Sequence, residues 1–384
     1  MMRPVRGILI ALALAAATLA IPAPAQAQPC ANLITQNFGQ TTWRICWREV
    51  AGNNSLANPN GLVIGPVDFQ TTPTAPFRRI IYDMRISDFF VPYHPGSPRY
   101  YDLSAFNFVL LTIPASGCPA SAGATLLPGG HVCKEVHDRG LLYMTANNAA
   151  ARGHELVLWG AINAANYKYI ERYTFRDDGV IIGDEGATGQ NLPGSELIPH
   201  VHNALWRIDM DLYTPANNNA SHMQHIEPSG SPPVATDTMT AIATASGVQW
   251  NARTHDMIMI ANTANQNARG HNPSYVLMPY EMGGGLAQHV EPFTRNDFWV
   301  TRYNPTQMAA SQLPTYLGTP VANTDIVVWY KGSLHHHPRD EDGNYTNNGN
   351  GPWHGTALTM FAGFMLMPNA LFDCTPFYNP GACP

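Results

Sequence analysis

Two histidines one residue apart, His200-Val201-His202, open the stretch of this chain with the clearest chemical potential. On a strand, positions i and i+2 share a face, so both imidazoles would reach toward one ion. Imidazole suits copper, zinc, iron and nickel. With 15 histidines in the chain, one His-x-His pair is weak by itself, and a half-exposed strand accounts for it equally well. A second tract, His335-His336-His337-Pro338-Arg339, follows an apolar pattern at Asp325 to Tyr330 and offers a third nitrogen; its bland reading is a solvated loop. Asp209 and Asp211 alternate on the face opposite His200 and His202. Helped by the Met210 carbonyl they could bind a hard cation, or they form an ordinary exposed polar face. Tyr167, in Asn166-Tyr167-Lys168-Tyr169, reads by composition as an aromatic strand residue. Gly283-Gly284-Gly285 lacks both the Gly-x-Gly-x-x-Gly spacing and a Walker lysine, so phosphate binding is not supported.

The elements that must position these residues are strands. Hydrophobic residues make up 45% of the 384, enough for a normal core, while charged residues are only 12%, about half the usual share. Three lysines and a net charge of -6 exclude the basic footprint of a nucleic-acid binder. Thirty-two glycines and 32 prolines favour many short strands over long helices. Period-two alternation predicts strands in Phe77 to Tyr93, Leu156 to Ile162, His200 to Tyr213, Met257 to Ala261, Tyr275 to Tyr280, Phe298 to Tyr303, Asp325 to Tyr330 and Leu358 to Met367. Tyr167, Tyr169, Glu171, Tyr173 and Phe175 share one strand face, and Asp177-Asp178-Gly179 turns that strand back through Val180 to Gly183. Only Thr306 to Leu313 looks helical, with Pro314 as its stop; Asn-rich loops are expected at 214–222 and 343–351. The expected architecture is all-β: a short, disulfide-tied segment over 28–76 leading into one large β-sandwich over 77–384.

Residues 1–27 read as a secretory signal. Arg3 and Arg6 precede an apolar run from Ile8 to Ile21, and Ala25-Gln26-Ala27 supplies the small-residue cleavage site. The run is short of the ~20 residues a membrane span needs, so a protein exported to the periplasm or outside the cell, with no membrane contact after cleavage, is expected. Six cysteines in an exported chain imply three disulfides. Many connectivities are open, of which nearest-neighbour pairing is the simplest.

In order along the chain, these pieces resemble the catalytic domain of the copper-containing primary amine oxidases. The run His200-Val201-His202-Asn203-Ala204-Leu205-Trp206-Arg207-Ile208-Asp209-Met210 is similar to the family's H-x-H-x-x-x-x-R-L-D-M. His336, two residues before Pro338-Arg339, fills the third copper position, and Asn323-Thr324-Asp325-Ile326-Val327-Val328-Trp329 resembles N-x-D-V-V-L-W. Asn163-Ala164-Ala165-Asn166-Tyr167-Lys168-Tyr169 resembles the T/S-x-x-N-Y-D/E-Y/N motif, whose tyrosine becomes the quinone cofactor topaquinone; Asn163 and Lys168 are its two departures. The likeness spans about Phe77 to Pro376.

The resemblance implies a large β-sandwich of the amine oxidase catalytic-domain type, with Cu(II) on His200, His202 and His336 and topaquinone grown from Tyr167 beside Asn166. It also implies Tyr93, in Val91-Pro92-Tyr93, as the phenol that bonds the cofactor oxygen, and Asp102 as the general base. Cys118–Cys133 would be the disulfide after the base. Asp209, Met210, Asp211, Asp325 and Ile326 would form a peripheral calcium-type site. The implied reaction is oxidative deamination of a small primary amine by O2 to aldehyde, ammonia and hydrogen peroxide, in a homodimer. Lys168 and the lost W-P-x-M-P segment after the third histidine leave an alternative: an exported copper-binding sandwich without the activity.

Overall fold

The computed structural model describes residues 30–50, 61–92, 99–101, 103, 109–191, 198–227, 234–281, 292–306, 308–339, 341–342, 356–374 and 376–377. Its strands, in chain order, are β1 (Asn32–Asn37), β2 (Thr42–Val50), β3 (Gly61–Gln70), β4 (Arg78–Pro92), β5 (Arg99–Tyr101), β6 (Thr125–Leu126), β7 (Val132–Met144), β8 (Ala150–Ala164), β9 (Tyr167–Arg176) and β10 (Ile181–Gln190). The second half adds β11 (His200–Met210), β12 (Asn218–Ile226), β13 (Thr236–Ile242), β14 (Ser246–Val248), β15 (Met257–Asn262), β16 (Ser274–Glu281), β17 (Phe298–Arg302), β18 (Ile326–His336) and β19 (Thr356–Asn369).

Two antiparallel sheets account for all of them. One has nine strands in the order β1-β2-β3-β4-β11-β18-β17-β14, with β5 hydrogen-bonded to β4; the other has ten, in the order β13-β12-β15-β16-β19-β10-β9-β8-β7-β6. The large β-sandwich expected from strand alternation is therefore what the chain builds. Its main core lies between the sheets, where Trp43 packs on Phe69 at 4.2 Å and Trp206 meets Phe364 edge-on at 5.2 Å.

The centre of the first sheet is covered on both faces. Beneath its far side a second cluster, including Phe90, Leu205, Trp299, Leu313 and Trp329, is roofed by 3-10 turns at Pro292–Arg295 and Ala310–Tyr316. Every residue of β11 but Val201 is consequently buried. Even-numbered side chains face the other sheet and odd-numbered ones the second cluster.

Three local expectations change. The expected lead-in over 28–76 is not separate: among its described residues, β1, β2 and β3 are the first three strands of the nine-stranded sheet, so the sandwich begins well before Phe77. The helical stretch near Thr306 is a short 3-10 element at Ala310–Tyr316 that contains Pro314 rather than stopping before it. The polar tract 214–222 is a loop only to 217. Asn218 opens β12, its amide donating to the Met210, Thr214 and Pro215 carbonyls, so this asparagine satisfies a turn rather than facing solvent. The loop at 343–351 lies outside the described residues.

Candidate metal centre

The register of one strand pair brings the histidines together. β18 runs on through His336 rather than ending at Tyr330, and His336 pairs directly with His200 across the antiparallel β11–β18 ladder. His202, two residues on, shares the His200 face. Ring nitrogens of the three then converge: His200 Nε2 lies 3.0 Å from His202 Nε2 and 3.3 Å from His336 Nδ1. All three are buried, whereas His335 and His337 are exposed and point elsewhere.

The far nitrogen of each ring is held. His200 Nδ1 donates to the Ile198 carbonyl at 2.8 Å, and since a carbonyl only accepts, Nε2 must carry the lone pair. His336 Nε2 faces the Asp342 carboxylate at 3.2 Å, which leaves Nδ1 as the lone-pair side. The Tyr169 hydroxyl meets His202 Nδ1 at 3.2 Å, and Phe89 stacks on the Tyr169 ring at 4.2 Å.

Burial pushes His200 down to about 4 and His202 well below its ordinary range, and it lowers His336 as well, so all three imidazoles are neutral at pH 7. Burial alone would raise Asp342, but hydrogen bonds from the Arg339 backbone, His336 and the Leu358 backbone hold it below the usual carboxylate range.

Tyr167 enters this cluster from the opposite sheet. It begins β9, and its hydroxyl lies 3.0 Å from His200 Nε2, 2.9 Å from His336 Nδ1 and 2.9 Å from Asn191 Oδ1, to which it donates. One phenolic proton cannot satisfy three acceptors. Lone pairs converging without protons to separate them is the arrangement a cation resolves, and two nitrogens each about 2 Å from one ion at roughly a right angle lie about 3 Å apart. The donor set fits copper: neutral nitrogens, one oxygen, and outer partners that fix each ring.

On the outer face of β11, Asp209 and Asp211 meet Asp325, which precedes β18; oxygens of the three lie within 4.8 Å of one another. Met210 and Ile326 are register partners, which brings their backbones to the same place. Burial, then the neighbouring carboxylates, push Asp211 up to about 7 and Asp325 up to about 9, while burial against the opposing pull of Arg207 leaves Asp209 at about 6. One oxygen of each is buried without a hydrogen-bond partner.

Tyr93 and Asp102 lie outside the described residues. They directly follow, in sequence, two strands paired with each other, β4 and β5. Cys118–Cys133 and Cys30–Cys46 are disulfides; Cys374 is also disulfide-bonded, and Cys383, its expected partner, lies outside the described residues. Sequence reasoning missed Asn191, Tyr169 and Asp342 as site residues. Tyr169 had a signal in sharing the strand face of Tyr167, and Asp342 in lying three residues past the Pro338-Arg339 pair that marks His336.

The fold and site define a two-sheet antiparallel sandwich with three histidines arranged as a metal could use them and a tyrosine set against them. The family model described as "Copper amine oxidase, enzyme domain" matches residues 193–379 of the chain. Among curated relatives, "Primary amine oxidase 2" of Arabidopsis thaliana is 23% identical, over 82% of this chain and 55% of its own length. "Primary amine oxidase" of Klebsiella aerogenes is 24% identical, over 89% of this chain and 54% of its own. The chain thus spans about half the length of these relatives. Among solved structures, a copper-containing benzylamine oxidase from Hansenula polymorpha superimposes with a TM-score of 0.63 at 18% identity, covering 89% of this chain and 61% of that one.

Proposed function

We propose that this chain is a primary amine oxidase dependent on copper and a quinone made from Tyr167. The observation that carries the reading is the Tyr167 hydroxyl, within 3.0 Å of the lone-pair nitrogens of both His200 and His336. A phenol has no packing reason to enter a cluster of buried neutral imidazoles from the other sheet. When bound, copper with O2 oxidises the tyrosine ring, and the resulting quinone supplies the carbonyl at which a primary amine reacts.

The chain's own groups do the rest. Ile198, Tyr169 and Asp342 fix the three imidazoles, and Asn191 orients the Tyr167 oxygen. Asp102 is the base that takes the substrate α-proton, and Tyr93 the phenol that bonds the cofactor oxygen. In balance, amine, O2 and water give aldehyde, ammonia and hydrogen peroxide. The finer expectations are a small primary amine as substrate, a homodimer, a calcium-type ion on Asp209, Asp211, Asp325 and the Met210 and Ile326 backbones, and export directed by residues 1–27. The disulfides support export, since such bonds persist in oxidising compartments.

The test is reconstitution with copper in air, followed by peptide mass. The Tyr167 peptide should gain two oxygens and lose two hydrogens, and Tyr167→Phe should bind copper without forming a quinone. Asp102→Asn should form the quinone yet lose about 10²–10⁴-fold in turnover, the size of a general-base contribution. Copper-loaded, aerated wild type with an unmodified Tyr167 peptide would leave a copper-binding sandwich in place of the enzyme.

A further inference from the structure

Tyr167 is the first residue of β9, so its position depends on the two-residue turn before it. That turn joins β8 to β9 through Ala165 and Asn166, with Ala164 paired to Tyr167 and Asn163 paired to Lys168. Ala165 has φ 57°, a left-handed conformation that a residue with a Cβ adopts only when its surroundings insist. On one side, β10 supplies that insistence. Asn166 Nδ2 donates to the Gln190 carbonyl at 2.9 Å, and the Gln190 N–H returns a bond to the Asn166 carbonyl at 2.8 Å. Gly189 permits this approach: at φ 110°, a Cβ there would sit 2.6 Å from the Asn166 oxygen.

The other side is held by the two residues at which this chain departs from the quinone motif it resembles. Lys168 Nζ donates to Asn163 Oδ1 at 2.8 Å and also to the Ala165 carbonyl. The motif has a hydroxyl at the first position and a carboxylate at the second, a donor and an acceptor. Here the first position accepts through an amide oxygen and the second donates through an ammonium. Because the register sets the two residues opposite one another, the changes meet in a single bond of reversed polarity. Lys168 lies on the face opposite Tyr167 and shows no contact with the histidine centre among the described residues.

We propose that Lys168 and Asn163 form a cross-strand clamp that fixes the β8–β9 turn and thereby holds Tyr167 in place for cofactor formation. Both are positioning residues, and the proposal rests on the reading of Tyr167 as the cofactor precursor.

The experiment uses the full chain in four forms: wild type, Lys168→Met, Lys168→Glu, and the double variant Asn163→Ser/Lys168→Glu, which restores hydroxyl against carboxylate. Three quantities are read: bound copper, the rate of quinone appearance after copper addition in air, and hydrogen exchange of the 161–170 segment in metal-free protein. Lys168→Met should keep its copper, form quinone about tenfold more slowly, and exchange about tenfold faster in that segment, in keeping with loss of a hydrogen bond to a charged group. Lys168→Glu should be at least as slow, and the double variant should return to within about threefold of wild type.

Wild-type rates in Lys168→Met, copper lost in step with quinone, or no recovery in the double variant would overturn the clamp. If wild type forms no quinone, the reading of Tyr167 fails, and hydrogen exchange alone then decides: unchanged exchange in Lys168→Met overturns the clamp, and faster exchange with recovery in the double variant upholds it.

Discussion

The histidine centre and the aspartate triad lie at opposite ends of the β11–β18 pair and face opposite ways. Both are buried clusters of convergent ligand atoms. They differ in what happens at the back of each side chain. Every imidazole has its far nitrogen occupied, by Ile198, Tyr169 or Asp342, and each is neutral. Each aspartate instead leaves an oxygen buried and unpartnered, and their charges add. A cluster of neutral ligands with a finished outer layer is a preorganised site that stands whether or not an ion is there. A cluster of carboxylates in a dry setting must hold either protons or a cation. The first arrangement suits selective chemistry, and the second suits an ion whose role is to stabilise.

The sharpest way to break this comparison is His336→Ala. It should abolish stoichiometric copper binding, measured by metal analysis, while leaving any calcium-induced rise in melting temperature intact. Loss of both responses would mean that the two sites are one cooperative unit. Asp342→Asn tests the outer layer alone. It should weaken copper binding about 10–100-fold, the usual effect of removing a partner that orients a ligand. No change on titration would show that the β18 backbone suffices to aim His336.

Asp211→Asn should remove calcium stabilisation and spare copper. In wild type, calcium at a hundred times its dissociation constant should add about 2.7 kcal/mol to unfolding stability. The smallest effect is expected from Glu171→Gln, between the sheets and away from both clusters. Burial pushes Glu171 up to about 8, with one oxygen accepting from the Leu62 N–H and the other unpartnered. The folded state therefore keeps a proton that the unfolded chain releases near its ordinary value of 4.5. Stability contributed by this group falls as pH rises between those two values. Glu171→Gln should flatten that part of a denaturant-midpoint profile against pH.

What the sequence disclosed follows from the same strand geometry. His200, His202 and the Tyr167 face were legible because a period of two survives in any strand. His336 was legible through its Pro-Arg context but not through its element: three successive histidines read as a loop, whereas the ladder runs on and picks the middle one. Asn191 gave no local signal, because it is placed by how the chain returns after a strand, whereas Asp342 sits in the Pro-Arg context that marks His336. The N-terminal strands were missed as part of the sandwich because the first of them, β1, is an edge strand with polar residues and partial burial. Asn218 misled because asparagine in a turn and asparagine at a strand start look alike in composition.

All three histidines come from the nine-stranded sheet, and Tyr167, with Asn191 just beyond β10, comes from the ten-stranded one. The histidines can thus meet as soon as β11 and β18 pair, but the tyrosine, 169 positions from His336, joins them only when the two sheets close. On the proposed reading of Tyr167, oxidation of that ring would be an inspection of the finished product. A molecule whose halves had not docked would then hold the metal with nothing beside it to oxidise, so only completed molecules would be converted into catalysts, and the conversion would permanently mark those that passed.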